Sequence, residues 1–335
     1  MLQASGKSRP AILLCSILAG PGAWADGLAE RDGPLTGLYG FPDAREGARL
    51  LEPGRQALSF SALVSSHAVR GDAGGEALLL DGETTRLTLA WRRALLSRFE
   101  IGVELPWVVH SSGGLDGAIR RWHDLFGLPQ GIRNDVPADR LLFRYVGQDG
   151  AALVLDENVA GLGDVRLTGA WQLAAGPGSA HALRIGLKLP TGDSDKLTGS
   201  GAADLSIGLA GAYRGPWGRA AARAYWQASA TLLGRPDALP LKREPVVGQL
   251  LGGIGWQVSP RVELAAQSRF RSRVYDAAAS PLGDHALSLT LGANIRIGRS
   301  LGLALSVTED LRVDSLPDVT FGLALTWIDA PAPDS

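Results

Sequence analysis

The residues best placed to do chemistry are charged side chains that recur within apolar segments. Arg86, Arg92, Glu100, Glu104, Arg166, Arg184, Lys188, Glu263, Arg269 and Arg271 each sit among alternating Leu, Ile, Val, Phe or Trp. Side chains two apart share one face of a strand, so these ten groups occupy the polar faces of their strands. Opposed Arg and Glu rows on an inner surface can bridge and close a lumen. They can equally line a narrow polar channel that selects solutes by charge. The alternation leaves both outcomes open.

Hydroxyl and histidine pairs are a second kind of candidate. His67 follows Ser65 and Ser66, His110 precedes Ser111 and Ser112, and His123 stands beside Trp122 and Asp124. A hydroxyl activated by histidine near a membrane surface is the machinery of a lipid-modifying enzyme. No Gly-x-Ser-x-Gly elbow accompanies these pairs, and strand neighbours face opposite ways. Polar rim residues are therefore the expectation, and no catalytic residue is assigned.

Acidic loop residues form a third set. Asp193, Asp195 and Asp204 flank a Gly-rich loop, and Asp156, Glu157 and Asp164 precede a strand. Hard cations take such ligands, but the spacing matches no calcium loop, and Asp with Gly is ordinary turn chemistry. No metal and no cofactor is expected. Cys15 is the single cysteine, which removes disulfide scaffolds, thiolate metal sites and cysteine nucleophiles beyond it. A formal charge of −1 offers no basic field for nucleic acid.

The elements that must position these groups read as strands. Residues 1–25 resemble a secretory leader: Lys7 and Arg9, the apolar run Ala11 to Leu18, then Ala23-Trp24-Ala25 as a cleavage signal. Residues 26–55 read as an N-terminal periplasmic segment. From 56 to 327, period-two alternation recurs about twelve times, most clearly where Phe99, Ile101, Val103, Leu105 and Trp107 oppose Glu100, Gly102 and Glu104. Short links such as Ser259-Pro260 and Gly298 to Ser300 alternate with long ones: Ala68 to Gly82, His110 to Gly163, Pro190 to Ala203, Gly234 to Pro245 and Ser272 to Asp284.

Large aromatics collect at strand ends: Trp91, Phe99, Trp171, Trp256 and Trp327 at one end, Trp107, Phe270 and Phe321 at the other. Short turns, long external loops and aromatic girdles together describe an outer-membrane barrel. Trp226, mid-strand, departs from that pattern. The third loop, 111–162, predicts a helix over Asp116 to Phe126 and a hairpin of Arg140 to Val146 with Ala151 to Leu155, a lid or an external cap. The fold expected is all-β: an antiparallel transmembrane β-barrel of about twelve strands, with a helix and hairpin insert in that loop. Residues 328–335 form a C-terminal tail.

Several motifs resemble an uncharacterised family of proteobacterial barrel proteins, the domain-of-unknown-function family numbered three-one-eight-seven. They are Gly40-Phe41-Pro42-Asp43-Ala44, Leu80-Asp81-Gly82-Glu83-Thr84, Glu104-Leu105-Pro106, Trp122-His123-Asp124, Phe126-Gly127-Leu128-Pro129, Gly161-Leu162-Gly163-Asp164, and Leu187 to Asp193. The last two are also similar to elements of outer-membrane proteins linked to aromatic-compound uptake. The resemblance implies a barrel, makes transport the nearest analogy, and carries over no functional residue. A narrow channel or binding protein for small solutes is the leading expectation. An outer-leaflet lipid-modifying enzyme and a structural or assembly barrel are the alternatives. Outer-membrane lipids, lipopolysaccharide and the barrel assembly machinery are the expected partners.

Overall fold

The computed structural model describes residues 27–127, 130–217, 220–235, 241–311 and 319–329. The expected leader, Leu128-Pro129 of the third loop and all but the first two residues of the expected C-terminal tail lie outside them. Strands β1 (Gln56–Ala73), β2 (Glu76–Leu96) and β3 (Phe99–Ser111) come first. The third loop follows, with helix α1 (Asp116–Phe126) and strands β4 (Leu142–Val146), β5 (Ala152–Leu155) and β6 (Val159–Leu162). Then come β7 (Arg166–Ala175), β8 (Ser179–Lys188), β9 (Asp204–Trp217), β10 (Ala220–Leu232), β11 (Val246–Ser259) and β12 (Val262–Arg271). A one-turn helix α2 (Ser280–Gly283) precedes β13 (Ala286–Ile297), β14 (Leu301–Asp310) and β15 (Val319–Ile328).

Each wall strand pairs antiparallel with the next, β3 with β7, and β15 returns to β1 from Ala57↔Ile328 to Ser66↔Val319. The result is a closed barrel of twelve strands. Closure leaves none of the twelve wall strands with an unpaired side, as a hydrocarbon environment requires. Its outer surface is apolar by register: Leu325, Phe60, Leu89 and Leu105 lie side by side across β15, β1, β2 and β3, and the last three are exposed by more than two fifths. No compact soluble domain leaves such a belt uncovered. Among the described residues no helix is long and apolar enough to cross a membrane; the strands do so.

Two stretches depart from the sequence reading, and the mid-strand Trp226 finds its reason. The stretch Ala68 to Gly82, expected as a loop, is a strand pair that runs without a break from Gln56↔Arg93 to Ala73↔Glu76, turning at Gly74-Gly75. Beyond the apolar belt both faces are covered, with Ser65 to Val69 all buried. The hydrophobic contrast fades there while the backbone ladder continues. Trp226 faces outward mid-strand because it is seated on Gly211, its cross-strand partner; a Cβ there would lie 2.2 Å from the indole Nε1.

The second departure is the larger. Of residues 26–55, expected as a periplasmic segment, 27–51 lie inside the barrel, while Glu52 to Gly54 are exposed. Leu28, Leu35, Tyr39, Phe41, Ala48 and Leu51 are all buried. The segment rises along β12 to β14, where Gln267 Nε2 donates to the Leu28 carbonyl (3.0 Å) and Ser306 Oγ to that of Ala29 (3.0 Å). It turns at a 3-10 turn, Thr36–Leu38, beside the long loops. It then descends past β10, β8, β7 and β3 to reach Gln56. Nothing in its Gly- and Pro-rich sequence has a period, because these residues are fixed by contacts with the wall rather than by a ladder of their own.

Candidate functional site

Nine of the ten alternating charges meet ion-pair partners in the interior. Glu100 receives Arg92 Nη1 and Arg184 Nη1, both at 3.2 Å, and the Leu51 backbone N–H at 3.1 Å. Across β3, β7, β8 and β9 the register places Glu104, Arg166, Lys188 and Asp204 in one row. Lys188 Nζ bonds Asp164 and reaches Asp204 Oδ2 at 3.3 Å. Arg223 Nη2 pairs with Glu263 at 2.6 Å. Arg166 fits because Gly186 has no side chain: a Cβ there would fall on its guanidinium.

Half of this network comes from the lumen segment, which sequence reasoning missed. Arg269 pairs with Glu30 (3.0 Å) and Asp32 (2.8 Å), and Arg271 with Asp32 (3.3 Å). Arg166 bonds Glu46, with Glu104 farther at 3.4 Å. Gln172 and Gln227 donate to carbonyls of the descending arm, at Ala48 (2.8 Å), Ala44 (2.9 Å) and Glu46 (2.9 Å). Arg184 Nε donates to the Gly47 carbonyl (3.1 Å). The one available signal was the excess of strand arginines over strand carboxylates, which demanded partners from elsewhere.

Arg86 is the exception. It faces a cavity of about 40 Å³ between segment and wall, lined also by Arg31, Ser61, Thr88, Glu104 and Gln249. That is room for a few waters at roughly 10–15 Å³ each. Among the described residues Arg86 has no ion pair or hydrogen bond. Arg31 donates only to the Gly37 and Tyr39 carbonyls. The buried Gln249 Nε2 lacks a partner.

The hydroxyl and histidine candidates are joined in a way the sequence did not suggest. Thr84 Oγ1 lies 2.9 Å from both His67 Nε2 and His110 Nδ1. His110 Nε2 is 2.9 Å from the Leu197 carbonyl, so it must donate there, leaving Nδ1 to accept from Thr84. The Thr84 oxygen then accepts from His67. Phe143 meets both rings edge-on at 5.6 and 5.5 Å. The arrangement ties β1, β2, β3, the β4–β5 hairpin and the loop before β9 together at the mouth.

The third loop divides. Its β4–β5 hairpin extends β2 and packs Phe143 and Tyr145 against Leu35, Tyr39 and Tyr275 over the mouth. Helix α1 lies elsewhere. Ser66 and Glu83 are a cross-strand pair whose neighbours Ser65 and Thr84 face the lumen, so they point outward, and they hold α1. Glu83 Oε1 accepts the Gly114 and Leu115 N–H groups (2.9 and 2.6 Å); Arg133 links Asp116 to Ser66. Of the loop candidates, His123 is buried with both ring nitrogens unpartnered. Trp122 and Asp124 are exposed, and Asp124 accepts from Gln130.

Of the acidic loop residues, Asp164 and Asp204 hold Lys188, and Asp193 serves its own turn. Asp193 Oδ1 accepts the Asp195 N–H (3.0 Å), and the hydrogen bond from Lys196 holds its carboxyl below the usual range. Among the described residues no cluster of three or more His, Cys, Asp or Glu could hold a metal ion.

The barrel is similar to that of the COG4313 outer membrane channel from Pseudomonas putida F1, with TM-score 0.54 and 14% identity over 87% of this chain and 100% of that one. Other likenesses are to the transport unit of the autotransporter AIDA-I from Escherichia coli (TM-score 0.44, 10% identity, 83% and 90% covered) and the KdgM porin (0.41, 7%, 81% and 98%). No curated protein matches the sequence. The family model described as "Protein of unknown function (DUF3187)" matches residues 31–328, from the ascending arm of the lumen segment to the last wall strand. The chain belongs to the DUF3187 family.

Proposed function

We propose that the protein is an outer-membrane channel that passes or holds small solutes in its polar lumen. One observation carries this reading: the wall alone encloses a lumen wide and polar enough to take residues 27–51, through side-chain contacts rather than ladder hydrogen bonds. A barrel meant only as a membrane scaffold can fill its interior with wall side chains. Here a separate segment fills it, and what is held by ion pairs and side-chain hydrogen bonds can move without breaking the sheet. In this reading the leader delivers the chain across the inner membrane and the barrel assembly machinery inserts it. Outer-membrane lipids and lipopolysaccharide then surround the apolar belt. Purified protein in planar bilayers should give discrete, solute-dependent current steps under applied voltage. Silence of the full chain and of a form lacking 112–162, across the accessible voltage range, removes the reading.

A further inference from the structure

Resting on the channel reading and deepening it, we propose that the solute is a small organic carboxylate, and that the lumen segment occupies its path as an internal stand-in. Between residues 30 and 46 the segment carries Glu30, Asp32, Asp43 and Glu46 against Arg31 and Arg45. Asp43 is engaged by Arg45 of the same segment (2.7 Å). The other three carboxylates point at the wall, where they meet Arg269, Arg271 and Arg166.

Among the described residues, Arg269 and Arg271 pair with carboxylates only on this segment, and Arg166 would keep only Glu104, now at 3.4 Å. Without the segment, three buried arginines lose most of their compensating charge, and Arg86, which makes no direct ion pair among the described residues, loses the nearby Glu30, Asp32 and Asp43. Guanidinium groups in a narrow polar passage would then be balanced by anions entering from solution. The planar fork matches a carboxylate closely. Each arginine now paired to the segment marks a station that a solute carboxylate can take, one after another along the wall. Arg86 lies on the same path, in a small cavity where the carboxylates of Glu30, Asp32 and Asp43 come from the segment and only Glu104 from the wall.

The test is bilayer electrophysiology on the full chain, on Glu30→Gln/Asp32→Asn, and on a Gly40→Cys/Asp204→Cys lock. A Cβ built at Gly40 lies 3.2 Å from that of Asp204, near the roughly 3.5–4.5 Å a disulfide spans. It also lies 2.8 Å from the Lys188 Cβ, so the segment must shift away from β8 to form the bond. The double carboxamide variant should conduct more often than the parent. Its reversal potential in a KCl gradient should lie toward that of chloride, and succinate should reduce the chloride current. The oxidised lock should be silent, and reductant should restore its current. A cation-preferring or unselective current overturns the proposal while leaving the channel intact, as does an oxidised lock that conducts like the reduced one. Silence of every form overturns the proposal and the channel reading together.

Discussion

The interior of this barrel is settled residue by residue, and Glu100 shows the terms. It is 2% exposed and serves Arg92, Arg184 and the Leu51 N–H at once. Removing one partner of a buried pair leaves an uncompensated charge, at a cost of ~3–5 kcal/mol. Glu100→Ala should therefore lower the stability of the folded barrel by about that much, read as a shifted urea midpoint in lipid vesicles. Adding Arg184→Met should recover part of the loss, since the stranded cation goes with it. An unshifted midpoint would mean that water reaches this site and the pairs contribute little. The inward direction of Glu100 was legible in the sequence, because a charge in an alternating apolar strand can face only away from lipid. Its contact with Leu51 was not, since a segment without period gives no register to read.

At the level of elements, the strands were the legible part and the insert was half legible. The α1 and β4–β5 spans follow from local propensity and turn chemistry. Their positions do not, because these depend on which face of the rim each one meets. Helix α1 has no capping side chain of its own, with Leu115 at the N-cap. Glu83, reaching from β2, supplies both the acceptor for two orphan N–H groups and a negative charge at the positive end of the helix. Losing such a cap costs about 1 kcal/mol, or roughly fivefold in local opening. Glu83→Ala should raise amide exchange across 114–126 by about that factor while the wall strands stay protected. Exchange unchanged in α1 would show that Arg133, through Asp116 and Ser66, holds the helix alone.

For the whole molecule, the question is whether wall and filling are one cooperative unit. The wall's ladder hydrogen bonds all run between strands, with β15 closing on β1 and Arg55 and Asp329 pairing beside that seam (3.5 Å). The lumen segment adds side-chain hydrogen bonds, ion pairs and an apolar contact at the mouth, but no strand. Deleting 27–50 therefore removes no rung of the barrel. It does strand Arg166, Arg269 and Arg271, yet the emptied lumen admits water, which solvates the freed charges and keeps their cost below that of a dry unpaired ion. A chain without 27–50 should thus still fold into a compact barrel with heat-dependent gel mobility, and should lose that mobility shift at a lower temperature than the parent. If the shortened chain forms no barrel at all, the segment is part of the folding unit, and its position in the lumen reflects assembly rather than a removable filling.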